Sequence, residues 1–200
     1  MKPYYRTSID ASNALRSDFD QEAFLRSTDR AHDPVSIWAF RDSEIYDVFN
    51  REWIHRVEEA VGMEVSFALL FYRVPFLEFE EVHIDQDPDR DNIRSVYSLN
   101  FVNDDLDDSS MLWYDIPIET GDCKYTPAMT PYVSWATEDV RHLEYDRYTL
   151  GKQVTLVNVG QPHNVITGNR YRWCYCLRFK DDKIFSWDQA VDYFSHIIVE

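Results

Sequence analysis

From Val65 to about Phe179 the chain is written in short runs of β-branched and aromatic residues, separated by polar or proline-containing turns. These runs predict strands at Val65 to Tyr72, Glu80 to Ile84, Arg94 to Val102, Met111 to Asp115, Gln153 to Val159, Asn164 to Thr167 and Tyr171 to Phe179. No helix-length period falls between consecutive strands, which favours a barrel or sandwich over an alternating helix-and-strand layout. The first sixty or so residues read as helical instead. "DSEIYDVFNREWIHRVEEAVG" offers Asp42 or Ser43 as a cap, apolar residues at Ile45, Val48, Phe49, Trp53, Val57, Ala60 and Val61, and Gly62 as a stop. Near the other end, "SWDQAVDYFSHIIVE" restarts a helical period from Ser186, with Gln189 at the capping-box spacing. The pattern predicts one domain over 1–200, mainly β with flanking α-helices: a helical part at 1–62, a β core at 63–180 and a terminal helix at 186–198.

Composition supports a packed core, since aromatics reach 16%, with 12 Phe, 13 Tyr and 6 Trp. Those rings fill a barrel or leave room for a dimer face equally well. Charge narrows the partners. Lys plus Arg number 20 against 36 Asp plus Glu, a formal charge of −16, which repels nucleic-acid phosphates and anionic membrane surfaces. The longest apolar stretch, "VSFALLFYRVPFL", is interrupted by Arg73 and Pro75, so no membrane span is expected. The opening "MKPYYRTSIDASN" has no signal-peptide pattern, and a cytoplasmic address is the expectation. Cys123, and the CxC pair Cys174 and Cys176, match neither a zinc ribbon nor a CxxC redox motif and are read as thiols without a catalytic task.

Candidate chemistry starts at "EVHIDQDPDRD". Residues two apart on a strand share a face, so His83 and Asp85 point one way and Ile84 the other. A third ligand is available at His163, in "LVNVGQPHNVITGN". Two imidazoles and one carboxylate on neighbouring strands make the facial triad that holds nonheme Fe(II) and leaves coordination positions open. Asn158, Gln161 and Asn164 flank His163 and suit either support of that ligand or an ordinary turn. Asp87, Asp89 and Asp91 are read as a hydrated loop. In "RYRWCYCLRF", alternation puts Arg170, Arg172, Cys174, Cys176 and Arg178 on one face and Tyr171, Trp173, Tyr175, Leu177 and Phe179 on the other. An arginine turned into a sheet core needs a carboxylate in its fork, and a dicarboxylate cosubstrate is one such partner. The alternative is an arginine on an outward face, paired with an internal Asp or Glu. "NDDLDDSS" lacks the glycine and terminal glutamate of a calcium loop and reads as a solvated hairpin tip. His32, His55, His142 and His196 have no ligand pattern around them, and GxSxG, HExxH and phosphate-cradling glycine motifs are absent from the sequence.

The succession "HID", "PHNV" and a following arginine resembles the Fe(II)/2-oxoglutarate-dependent dioxygenases. "YRVPFLEFEEVHID", "RSVYSLNFVNDD" and "MLWYD" follow in the order seen in the prolyl and aspartyl/asparaginyl hydroxylase-like branch. The resemblance covers roughly Val65 to Phe179 and implies a double-stranded β-helix core, the jelly-roll shared with cupins. It implies His83, Asp85 and His163 as iron ligands at the catalytic centre, and Arg172 on the distal carboxylate of 2-oxoglutarate. The "GxR" pattern of many relatives would select Arg170 instead, and Tyr72 and Ser98 match positions that contact the cosubstrate. The implied activity uses Fe(II), 2-oxoglutarate and dioxygen to hydroxylate a carbon of an amino-acid side chain, free or peptidyl, or of a related small molecule. Two other readings stand beside it: a cupin-like isomerase or hydrolase using zinc or manganese without 2-oxoglutarate, and a noncatalytic β-helix binding module.

Overall fold

The computed structural model describes residues 1–30, 32–78, 81–85, 95–102, 108–125, 131–181 and 183–199. Within them the chain forms β1 (Tyr4–Asp10), α1 (Gln21–Ser27), β2 (Val35–Arg41), α2 (Ile45–Val48), α3 (Arg51–Val61), β3 (Val65–Arg73), β4 (Glu81–Asp85), β5 (Ser98–Val102) and β6 (Ser110–Tyr114). It continues with β7 (Asp122–Tyr125), β8 (Pro131–Ala136), α4 (Thr137–Val140), β9 (Glu144–Tyr148), β10 (Gln153–Val157), β11 (His163–Ile166), β12 (Arg172–Phe179) and α5 (Trp187–Tyr193). The strands make two antiparallel sheets, in the orders β1-β10-β5-β12-β3-β2 and β7-β8-β4-β11-β6-β9. From β3 to β6 each successive strand enters the opposite sheet, and β9 to β12 alternate in the same way. That winding, in which β12 returns between β3 and β5 while β11 returns between β4 and β6, is a double-stranded β-helix, the expected jelly-roll.

Alternation then sorts the side chains into layers. On β12, Tyr175 and Leu177 are fully buried on the face that meets Phe49, Trp53, Ile54 and Val57 of the helical layer. The other face turns Cys174 and Cys176 toward Val102, Met111, Val157 and Val165, between the two sheets. On β4, Val82 and Ile84 point outward into a third cluster with Leu112, Tyr114 and Trp135, which leaves His83 and Asp85 facing in. Each sheet therefore has an apolar outer cover, and the space between them holds the polar groups of β4 beside a smaller apolar cluster.

The expectation that residues 1–62 are helical fails at two places. "YYRTSID" forms β1, hydrogen-bonded to β10, and "VSIWAFR" forms β2, hydrogen-bonded to β3, so these segments become the two edge strands of the first sheet. Both are rich in β-branched and aromatic residues, which fit a half-buried pleated surface. The helix expected from Asp42 to Gly62 is divided. Phe49 is extended, and Asn50 Oδ1 accepts from Glu52 N at 2.9 Å and Trp53 N at 3.4 Å, so the chain caps a fresh helix there. Gly62 ends it in the left-handed region at φ 75, as expected of a C-terminal glycine. Ser186 caps α5 by accepting from Gln189 N at 3.2 Å, and the helix ends at Tyr193 before a single 3-10 turn rather than running to 198. Three strands the sequence pattern left unassigned, β7, β8 and β9, extend the second sheet. No helix of the described residues is long and apolar enough to cross a membrane.

Candidate metal centre

The second sheet carries three donors in register. The antiparallel pairing of β11 with β4 sets His163 opposite His83, and their ring centroids lie 4.4 Å apart. Asp85, two residues on, shares the inward face of β4, with Oδ1 at 3.8 Å from His83 Nε2. One ligand atom from each of His83, Asp85 and His163 can be chosen so that all lie within 4.8 Å of one another. Eighty residues of sequence separation are closed by one strand pairing.

Hydrogen bonding and charge prepare these donors. His163 Nδ1 lies 2.9 Å from the Gln161 carbonyl oxygen, which can only accept, so Nδ1 carries the proton and Nε2 keeps its lone pair. The supporting atom is thus the backbone of Gln161. Asn158 Nδ2 donates to Gln161 Oε1 at 3.4 Å, beside that support, while its carbonyl accepts from Trp113 Nε1 at 2.8 Å, and Asn164 Nδ2 donates to Thr137 Oγ1 at 3.2 Å. Burial, then the adjacent His163, pushes the His83 imidazole down to about 3, and burial likewise lowers His163. Both rings are neutral at ordinary pH, the form that binds a metal. Burial acts to raise the Asp85 carboxyl, but the Arg178 guanidinium, which also donates a hydrogen bond to it, leads the groups that lower it overall. Arg178 Nη2 donates to Asp85 Oδ2 at 2.5 Å and Nη1 donates to the Tyr97 carbonyl at 2.7 Å. One carboxylate oxygen is committed to Arg178 and the other faces His83.

A cavity of about 40 Å³ between the sheets joins this triad to β3, β5 and β12 of the opposite sheet. Arg172, 4% exposed, lines it together with Arg73, which is its cross-strand partner in the β12–β3 pairing. Burial, then the like charge of Arg172, lowers the Arg73 guanidinium to about 9, which leaves it a cation at neutral pH. Of the two candidate arginines, Arg172 lines the cavity, whereas Arg170 is exposed in the turn before β12 and does not, because the strand and its alternation begin only at Arg172. Tyr72 is also outside it. It lies one residue from Arg73, on the opposite face of β3, and packs against Trp173 and Tyr171 with centroids at 4.8 and 5.8 Å. Ser98 is buried and donates to Asn100 Oδ1 at 2.5 Å, and Asn100, rather than Ser98, lines the cavity. Arg73 and Arg178 went unassigned as site residues in the sequence pattern. The signal that finds Arg73 is the same period of two, since it ends an apolar strand in phase with Leu69 and Phe71, opposite Cys176, Cys174 and Arg172. Asp87, Asp89 and Asp91, and residues 103–107 of the hairpin tip, lie outside the described residues.

No family model matches the sequence, and no curated protein matches it. Among solved structures, oxalate decarboxylase from Bacillus subtilis is 11% identical over 75% of this chain and 26% of its own, with a TM-score of 0.34. A variant of the same decarboxylase is 12% identical over 80% of this chain and 29% of its own, also at 0.34. AviO1 from Streptomyces viridochromogenes is 15% identical, with 86% of this chain and 88% of its own covered and a TM-score of 0.39. The chain spans between a quarter and a third of the length of the decarboxylase chains and most of the length of AviO1.

Proposed function

We propose that this protein is an Fe(II)- and 2-oxoglutarate-dependent oxygenase that hydroxylates a carbon of an amino-acid side chain, free or within a peptide, or of a related small molecule. One observation carries the reading. Arg172 is buried in the same cavity as His83, Asp85 and His163, and no carboxylate among the described residues pairs with it. A buried guanidinium without a counter-charge costs several kcal/mol, so a cavity that keeps one is suited to an anionic ligand. A dicarboxylate that binds metal at one end and Arg172 at the other answers both features.

The donor set fits Fe(II): two neutral imidazoles and an ionised carboxylate, on one face, with no fourth protein ligand among the described residues. Iron held by His83, Asp85 and His163 would supply the coupling of dioxygen reduction to decarboxylation of the 2-oxo acid. The chain does the rest. The Gln161 carbonyl fixes the tautomer and tilt of His163, and Arg178 occupies one oxygen of Asp85, favouring a single-oxygen ligand. Phe71, Met111, Val159 and Val165 form apolar wall that excludes water beside the reacting groups. Arg172, with the field of Arg73 beside it, orients the distal carboxylate. The net charge of −16 argues against a polyanionic substrate.

The test is succinate formation from 2-oxoglutarate, measured against a panel of amino acids and short peptides. Iron-dependent succinate is expected, with a slow uncoupled rate before any substrate is found. Arg172→Ala should raise the KM for 2-oxoglutarate at least ~30-fold, the equivalent of about 2 kcal/mol for an orphaned charge contact. No succinate at saturating iron and cosubstrate refutes the proposal. The same donors also suit manganese or zinc in a cupin-like isomerase or hydrolase, and metal-dependent turnover of a carboxylate substrate without 2-oxoglutarate would favour that reading.

A further inference from the structure

Two thiols in the cavity have no part in the chemistry above. Cys174 and Cys176 both point between the sheets, are 2% and 3% exposed, and hold their sulfurs 4.0 Å apart. The strand fixes this arrangement, since β12 is paired on both sides, to β3 and β5. Arg172 and Arg178 flank the pair on the same face, and Arg73 stands across from Arg172. The Cys176 thiol, then burial opposed by Arg172, sets the balance at Cys174, whose thiol is lowered, whereas burial raises Cys176.

A disulfide does not fit here. Residues two apart on a strand lie about 6.7 Å apart at Cα, the far edge of the roughly 4.4–6.8 Å that a disulfide spans, and their Cβ bonds leave the same face side by side, so closing to the ~3.8 Å Cβ separation of a disulfide would buckle the strand. A bridging cation does fit. An ion about 2.3 Å from each sulfur, the zinc–thiolate length, spans the observed 4.0 Å with an S–metal–S angle of about 120°. Two thiolates cancel the charge of a divalent ion, so the complex can sit among guanidiniums that would repel a bare cation. Soft donors also exclude calcium and magnesium, which take oxygen ligands.

We propose that Cys174 and Cys176 form a second cation site in this cavity, for a thiophilic d10 ion of the zinc, cadmium or monovalent-copper type, separate from the His83, Asp85 and His163 set. Water or cavity groups complete its coordination. An ion there competes for the space in front of Arg172, so it blocks any anion that Arg172 binds. The proposal stands whether or not the protein uses 2-oxoglutarate.

Cadmium is the probe. With one equivalent added to His83→Ala protein, X-ray absorption should count two sulfur neighbours per cadmium, and a near-ultraviolet thiolate-to-cadmium charge-transfer band should saturate at one ion per chain. The band should be lost in Cys174→Ser and in Cys176→Ser and kept in Cys123→Ser, whose thiol is exposed on β7. The sulfur count in wild-type protein at two equivalents needs no variant, and an average of one sulfur per cadmium is expected there, two at the thiol site and none at the triad. Cadmium held only by nitrogen and oxygen in wild type, or a band that survives both serine substitutions or vanishes in Cys123→Ser, overturns the proposal.

Discussion

Replacing Arg178 by methionine keeps most of the packing of its stem and removes only the guanidinium. Lost together are the ion pair to Asp85 Oδ2 at 2.5 Å and the hydrogen bond to the Tyr97 carbonyl at 2.7 Å. Breaking a buried pair from one side costs about 3–5 kcal/mol, because the remaining charge stays buried without its partner. The Asp85 side chain keeps 24% of its surface, so water solvates it in part and the expected loss is near the low end, about 3 kcal/mol. Urea unfolding in the presence of chelator, so that no cation replaces the guanidinium, should show a lower midpoint at an unchanged slope. The pH dependence carries the sign. In the native protein burial raises the Asp85 carboxyl but Arg178 and its neighbours lower it further, so its folded pKa lies below the unfolded one. Its stabilisation is present above the unfolded value, about pH 4, and is lost as the pH falls through the folded value. In Arg178→Met burial prevails, the folded pKa rises above the unfolded one, and the carboxyl favours folding toward acid. The stability gap between the two proteins should therefore widen from acid to neutral pH. A gap that stays constant between roughly pH 3 and pH 7 refutes the coupling of Asp85 to Arg178.

His163→Ala removes a ligand whose ring is already aimed by the Gln161 carbonyl, so divalent-metal affinity measured by competition with a chelator should fall by at least ~100-fold, while His55→Ala, exposed on α3, keeps it. Equal affinity in all three proteins would mean that the cation sits elsewhere. Asn50→Ala deletes the side-chain acceptor for Glu52 N and Trp53 N at the start of α3 and should cost about 1 kcal/mol, a fall of a few degrees in Tm by calorimetry. An unchanged Tm would mean that the helix does not depend on that cap.

The core strands and the inward pairing of His83 with Asp85 in the candidate triad were legible because both follow from a period of two. Apolar alternation marks β3, β6, β10 and β12, and the same alternation aims His83 and Asp85 inward together. The edge strands β1 and β2 carry the same β-branched and aromatic signal but stand as single short runs among helical segments, and the partners that fix them as strands, β10 and β3, are remote in sequence or follow the intervening helices. The division between α2 and α3 was hidden for a related reason: Asn50 fits a helical apolar period as well as it fits a cap, and only the extended Phe49 before it decides. At the site, alternation grouped Arg170 with Arg172 but could not say where β12 begins, and the strand begins at Arg172, which leaves Arg170 in the exposed turn. Tyr72 falls outside the cavity for a different reason. Its neighbour Arg73 is in phase with the cavity, and a shift of one residue changes the face. The role of Arg178 depends on Asp85 Oδ2 being within reach across the two sheets, and no local pattern encodes that distance.

The most direct test of the central claim is an anaerobic titration of Fe(II)-loaded protein with 2-oxoglutarate, followed by visible absorbance. The account predicts a weak metal-to-ligand charge-transfer band that saturates at one cosubstrate per chain, requires His163, and needs much higher 2-oxoglutarate in Arg172→Ala. Iron bound at stoichiometry with no such band at saturating 2-oxoglutarate would contradict it.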